Sequence, residues 1–185
     1  MKLNMGCGKQ KLPDYINVDA YAYCKPDLQF DLETFPWPWE DNSVDAVLFQ
    51  QSLEHMGAST PVFLKLMQEL YRVCKNGAEV NIIVPHPRCD SFIGDPTHVR
   101  IITPQILKLF DKQLNDEWEI SGSSATPLAH YLGVNFKITQ TTVSISEPYA
   151  TMYHTNKITI EELDAFAKER NNVLSGYFML LTVIK

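Results

Sequence analysis

Gly6-Cys7-Gly8 follows directly on the apolar run Lys2-Leu-Asn-Met5, and Asp19 closes the next apolar run, Ile16-Asn-Val18. Glycines at the end of a strand let the backbone come close to a ligand, because no Cβ stands between them. A carboxylate ending the neighbouring strand can accept hydrogen bonds from two adjacent hydroxyls. Strand, glycine turn, strand and terminal acid together lay out a nucleotide-type pocket at the carboxyl edge of a parallel sheet. The bland readings are a tight turn without a ligand and an ordinary strand-end acid. The two features in this order are more specific than either alone.

The spacing narrows the ligand. Dinucleotide-binding folds place a full helix between the glycine turn and the acid, separating them by about 20 residues. Here only Lys9 to Tyr15 is available, and Pro13 interrupts it. At 1.5 Å per residue that segment holds at most about two turns of helix, and proline disfavours even those. A pyrophosphate is held by the orphan N–H groups and positive dipole end of a helix N-terminus, a device this chain has cut short. No Gly-Lys-Ser/Thr occurs either. The expected ligand therefore carries an adenosine-like ribose and no phosphate.

Further polar residues sit where strands should end. After the apolar run Val44–Phe49 come Gln50, Gln51, Glu54 and His55. His55 reads either as a base, with an ordinary pKa near 6.5, or as a loop histidine bonding a backbone carbonyl. After the expected fifth strand Glu79–Val84 comes Pro85-His-Pro-Arg-Cys-Asp90, then Gly94-Asp-Pro-Thr-His-Val-Arg100. Its histidines and aspartates, His86, Asp90, Asp95 and His98, allow a substrate-site cluster, internal hydrogen bonding of the loop, or a mixed nitrogen and oxygen metal site. Their spacing matches no dedicated metal pattern such as His-Glu-x-x-His, and no metal is assigned. Trp37, Trp39, His130 and Tyr131 are either pocket walls or packing residues.

These residues need a scaffold, and the chain spells one out. Leu28 to Asp31 reads as a short third strand, and Glu33–Asn42 as a proline-punctuated connector. A run such as Val44–Phe49 suits a strand buried on both faces. Thr60 as N-cap, Pro61 at N1 and Gly77 at the far end frame a helix. Its apolar face comprises Phe63, Leu66, Met67, Leu70 and Cys74, at helical spacing. Thr103-Pro104 opens another helix, with Ile106, Leu107, Leu109, Phe110 and Leu114 as apolar surface. Val134–Ser146 and Tyr177–Ile184 read as strands, rich in β-branched and aromatic residues. Between them Thr159-Ile-Glu-Glu162 is a capping box opening a helix to about Arg170.

Composition bounds the class. With 185 residues, 45% apolar and 21% charged, the chain is expected to form one domain, residues 1–185, with a sizeable core. A formal charge of −6 without any run of Lys and Arg argues against a nucleic-acid surface. The four cysteines form no Cys-x-x-Cys pair and read as reduced, mostly apolar residues. Neither a leader pattern nor an apolar stretch long enough to span a membrane occurs. The expectation is a cytoplasmic protein with no membrane partner.

Leu3-Asn-Met-Gly-Cys-Gly8, Ile16-Asn-Val-Asp19, Phe30-Asp-Leu32, Ser43-Val-Asp-Ala-Val-Leu-Phe49, Leu53-Glu-His55 and Glu69-Leu-Tyr-Arg-Val-Cys-Lys-Asn-Gly77 succeed one another as in a known family. In this order they resemble the class I S-adenosylmethionine-dependent methyltransferases, most closely the small type 11-like branch. The resemblance covers roughly residues 1 to 110. It implies a Rossmann-like α/β fold: a seven-stranded sheet, mostly parallel with an antiparallel edge strand, helices on both faces and a shortened first helix. It implies S-adenosylmethionine as cofactor, with S-adenosylhomocysteine as product. Asn4, Gly6, Cys7, Gly8, Asp19, Ala20, Asp31, Leu32, Gln50 and Gln51 are its expected contacts. Asp19 would take the ribose, Asp31 with the Leu32 N–H the adenine, and the glycine turn the methionine end.

Two positions depart from the pattern. Asn4 stands where an acid is usual, and Gln10 where a third glycine is usual. A segment like Asp95–Arg100 lies over the acceptor site in some small members. On that likeness His98 is the first choice of base or orienter, with His55 second. His86, Asp95 and Arg100 are expected on the substrate side. Lid segments are expected at about 86–102 and 121–133. The leading function is methyl transfer to an oxygen or nitrogen nucleophile of a small molecule, by in-line displacement; a homodimer is left open. Asn4, Gln10 and the clipped helix support the alternative of a cofactor-binding regulatory or catalytically degenerate subunit.

Overall fold

A computed structural model describes residues 1–185. Seven strands form one sheet: β1 (Lys2–Met5), β2 (Ile16–Asp19), β3 (Leu28–Gln29), β4 (Val44–Gln50), β5 (Cys74–Pro85), β6 (Phe136–Ile145) and β7 (Leu174–Val183). Their order is β3-β2-β1-β4-β5-β7-β6. Pairing is parallel from β3 to β5, whereas β7 runs antiparallel to both β5 and β6. The chain thus winds outward from β1 to β3, returns past β1 to β4 and winds the other way. Loops leaving the carboxyl ends of β1 and β4 diverge at that reversal, which is where open α/β sheets take ligands.

Helices are distributed unevenly. Both α1 (Thr60–Val73) and the group α2 (Asp90–Ile93), α3 (Pro104–Lys108), α4 (Lys112–Ser121) and α5 (Leu128–Leu132) lie in connections after β4. So do α6 (Tyr149–His154) and α7 (Ile160–Glu169), the latter opened by the expected Thr159–Glu162 capping box. Before β4 there is no α-helix, only one turn of 3-10 helix at Ala22–Cys24. The shortening of the first helix is therefore complete.

Side chains replace that helix. Asn4 donates to the Gln10 carbonyl and to Asn17 Oδ1, both at 2.9 Å. Asn17 in turn accepts from the Leu12 N–H and donates to Asp27. Two buried carboxamides thereby pin residues 6–15 under the sheet edge.

The connector before β4 covers another helix-free stretch. Trp37 and Trp39 are buried in the main core and meet edge to face at 5.8 Å; they are packing residues. Glu69 on α1 accepts the Trp37 N–H at 2.8 Å and pairs with Arg72 at 2.7 Å. Arg72 also donates to the carbonyls of Trp37 and Trp39. Phe63, Leu66, Met67, Leu70 and Cys74 are all buried, as their spacing requires.

Several boundaries differ from the sequence reading. The N-cap of α1 is Ser59, and Thr60 is already helical. Gly77, with φ of +78°, lies inside β5, where the pairing with β4 shifts register after Cys74. The helix expected from Thr103 breaks at Leu109–Asp111, because the Asp111 carboxylate caps a new helix by accepting the Leu114 N–H. β3 is two residues long, and β7 starts three residues early at Leu174.

Burial opposes the charge on Glu69, but Arg72 and the Trp37 N–H outweigh it and hold the carboxyl below the usual range. A carboxylate with a lowered folded-state pKa stabilises the fold above its unfolded pKa, and that contribution disappears as pH falls through the folded value. Glu69→Gln should lower unfolding free energy in urea by roughly 1–3 kcal/mol at pH 7. The difference between variant and parent should shrink on acidification below about pH 4; a constant difference would separate Glu69 from the acid response.

Candidate active site

A cavity of about 640 Å³ opens at the carboxyl ends of β1, β2 and β4, at the reversal of strand order. Its size suits a small organic ligand. Gly6 and Gly8 form one wall, with φ of +67° and +51°. They are glycines for different reasons. A Cβ on Gly6 would lie 2.6 Å from Ser52 Cβ, so the turn touches the loop leaving β4. A Cβ on Gly8 would meet nothing within 4 Å, so only backbone geometry excludes other residues there.

Asp19 lines the cavity and is nearly buried. One carboxylate oxygen accepts the Gly8 N–H at 2.8 Å, the other the Tyr21 N–H at 2.9 Å. Each oxygen keeps a second lone pair for a ligand hydroxyl. Ala20, Asp31 and Leu32 continue the same wall. Asp31 is exposed and accepts the Glu33 N–H at 2.9 Å, while the Leu32 carbonyl accepts from the Trp37 indole. Across the cavity Gln51 adopts a left-handed φ of +52°. This uncommon conformation for a non-glycine residue turns the chain over β1. There the Ser52 hydroxyl donates to the Met5 carbonyl at 2.7 Å.

The expected residues are only partly brought together. Gly6, Gly8, Asp19, Ala20, Asp31, Leu32, Gln51 and His55 line the cavity. Asn4 lies beneath it, with its amide group spent on the Gln10 loop. Cys7 is buried off the lining, its N–H donating to the Val18 carbonyl and its thiol to the Gly8 carbonyl. Burial and the nearby Asp19 charge raise its thiol pKa. Gln50 ends β4 in solvent, off the lining.

On the expected substrate side the differences are larger. His86 is buried, with Nδ1 accepting the Arg88 N–H and the ring against Tyr177. Burial, helped by Arg88, lowers its pKa. Arg100 donates to the Gly57 carbonyl at 2.7 Å and stacks on Phe63, so its charge serves the scaffold. Asp95 accepts both the N–H and the hydroxyl of Thr97, and these bonds lower its pKa. His98 is largely buried behind His55, its Nδ1 bonded to the Phe92 carbonyl at 2.9 Å. Only Thr97 of the 86–102 segment reaches the lining. The 121–133 segment contributes nothing to it, packing instead on α4 and on α1 through Gln68. Tyr131 is exposed, and His130 pairs with Asp116 on α4.

Four residues carry weight that the sequence reading gave them too little of. Glu33 accepts the Gly57 N–H at the cavity wall; Tyr21 and Ser52 are also on the lining. Glu54 matters most: it is fully buried, and neither carboxylate oxygen has a hydrogen-bond partner. Burial raises its pKa to about 7. An acid inside Leu-Glu-His was visible in the sequence; its burial was not.

Residues 10–82 match the family model described as a methyltransferase domain. Among curated proteins none matches the chain in sequence. In fold the chain resembles a SAM-dependent methyltransferase from Archaeoglobus fulgidus, with a TM-score of 0.62 at 16% identity, covering 98% of this chain and 85% of that one. A SAM-dependent methyltransferase from Methanosarcina mazei aligns with a TM-score of 0.55 at 13% identity, over 99% and 92% of the two chains. The [4+2]-cyclase SpnF shares the fold as well, with a TM-score of 0.53 at 15% identity, over 99% and 75%. The sheet order and the cavity at its reversal are those of a Rossmann-like α/β fold shared with these structures, and within it residues 10–82 resemble a methyltransferase domain.

Gly6→Ala combines a left-handed backbone with a 2.6 Å contact to Ser52. It should lower the melting temperature by more than Gly8→Ala, which meets only the backbone cost of roughly 1–2 kcal/mol. Equal losses in thermal unfolding would mean that the Ser52 contact yields freely.

Proposed function

We propose that the protein transfers the methyl group of S-adenosylmethionine to an oxygen or nitrogen nucleophile of a freely diffusing small molecule in the cytoplasm. The observation that carries this reading is Asp19, presented to the cavity beside a glycine turn with no helix N-terminus after it. A ribose suits that pairing and a pyrophosphate does not. Asp19 would hold the ribose hydroxyls, Asp31 and the Leu32 N–H the adenine, and Gly6 with Gln51 the methionine end. His55 and Thr97 then form the acceptor side, and the 86–102 segment is the lid.

The reaction needs little covalent help from the protein. A lone pair of the acceptor attacks the methyl carbon as the carbon–sulfur bond breaks. Its electron pair returns to sulfur, giving S-adenosylhomocysteine, and the acceptor releases a proton. Holding the two reactants in line is worth roughly 7–11 kcal/mol. The acidic chain and the modest cavity support a small acceptor over a nucleic acid. A donor-binding subunit without turnover is the second reading, favoured by the engagement of Asn4 in the loop brace.

Calorimetric titration should give one S-adenosylmethionine site per chain. Asp31→Ala, at an exposed position, should weaken it about tenfold while keeping the fold; Asp19→Ala should weaken it by roughly 10–100-fold and lower stability too. His55→Ala should leave donor affinity intact and reduce turnover. Unchanged affinity in both aspartate variants would remove the donor from this cavity, and donor binding with no methylated product from any acceptor would favour the second reading.

A further inference from the structure

The 3-10 turn Leu53–His55 buries Glu54 completely, and no other residue hydrogen-bonds either carboxylate oxygen. Taking a carboxylate out of water without a partner is strongly unfavourable. Buried polar groups are otherwise almost always satisfied. Two imidazoles face this carboxylate. The His55 and His98 rings meet edge to face at 4.6 Å, and one nitrogen of each lies within 4.8 Å of a Glu54 oxygen and of the other.

Their hydrogen bonds fix which nitrogens are free. The Thr97 hydroxyl donates its proton to Asp95, so it can only accept from His55 Nδ1; the Thr97 carbonyl also only accepts. His98 Nδ1 meets the Phe92 carbonyl, again an acceptor. Both rings therefore carry a proton on Nδ1, and Nε2 is the nitrogen left to offer a lone pair to an ion. This is how metal-binding histidines are usually held, with the second nitrogen donating to a carbonyl or polar oxygen. Asp95 Oδ2 stands 3.8 Å from His98 Nε2 and places a second carboxyl group beside the two rings. Backbone bonds from Val99 and Arg100 to the Glu54 carbonyl latch the two segments together at 3.0 Å.

We infer that Glu54, His55 and His98 bind one divalent first-row transition-metal ion at the rim of the cavity. Two imidazoles and a carboxylate suit Zn²⁺, Co²⁺ or Mn²⁺, whereas Mg²⁺ and Ca²⁺ prefer oxygen alone. Atoms sharing such an ion at 2.0–2.2 Å lie about 3–3.5 Å apart, which a small closure of this set provides. One nitrogen of each ring and the orphaned carboxylate would be satisfied at once. The ion would have open positions beside His55 and Thr97, which line the cavity. On the proposed methyl-transfer reading, an acceptor hydroxyl bound there would lose its proton more easily.

Binding is measured without methyl donor or acceptor, so its failure is separate from any failure of methyl transfer. Chelator-treated protein is titrated with Zn²⁺ against a chromophoric competitor, and with Co²⁺ while the d–d absorption is followed. One ion per chain should bind, and Glu54→Gln, His55→Ala and His98→Gln should each weaken it at least as much as the 10–100-fold typical of losing an outer-shell partner. Thr97→Val should cost less, and near-ultraviolet circular dichroism reports whether each variant is folded. No saturable Zn²⁺ binding by the parent protein overturns the proposal, as does equal affinity in folded Glu54→Gln and His98→Gln. A thiolate-to-cobalt charge-transfer band would also overturn it, by assigning the ion to a cysteine.

Discussion

The Asp19 carboxylate, holding the Gly8 and Tyr21 N–H groups, is the interaction on which the site depends. It ties the turn after β1 to the loop after β2, and no helix is present to do that work. Charge-assisted bonds of this kind are each worth about 1.5–3 kcal/mol. They keep a nearly buried carboxylate in place and still leave each oxygen able to accept a further hydrogen bond at the cavity. The same atoms thus set the shape of the floor and its chemistry.

The rest of that half of the sheet follows from having lost its helices. Asn4, Asn17 and Asp27 form a polar brace below the turn, and the Trp37–Trp39 connector covers the core where a helix would ordinarily lie. Arg72 and Glu69 then hold the connector to α1. Loops, having no internal ladder, must have their backbone groups satisfied by side chains. This explains why so many buried polar residues cluster around β1 and β2, and why Asn4 serves the loop.

On the other side of the cavity the constraint is electrostatic. Gln51 turns the chain back over Gly6, and the next residues place Glu54 inside the protein and His55 at its surface. Val99 and Arg100 close on the Glu54 carbonyl and bring His98 against His55. A wall of hydrogen-bonded backbone therefore faces one that carries titratable side chains. On the proposed methyl-transfer reading, the rigid wall would hold one reactant in line with the other.

Much of the fold was legible because its signals are local. Glycine after a short apolar run, an acid ending the next, Val44–Phe49 and the Thr159 capping box each depend on neighbours in sequence, and they placed the strands, the cavity wall and α7. Periodicity likewise marked the buried face of α1. What the sequence alone could not determine was where polar side chains of distant segments would point. Asn4, His86 and Arg100 have types that suit a binding site, yet their partners, Gln10, Arg88 and Gly57, are scaffold atoms. Glu54 was passed over because nothing nearby in the sequence indicates burial. Only tertiary packing, which folds residues 95–100 over the turn at residue 54, takes that carboxylate out of water and sets two imidazoles beside it.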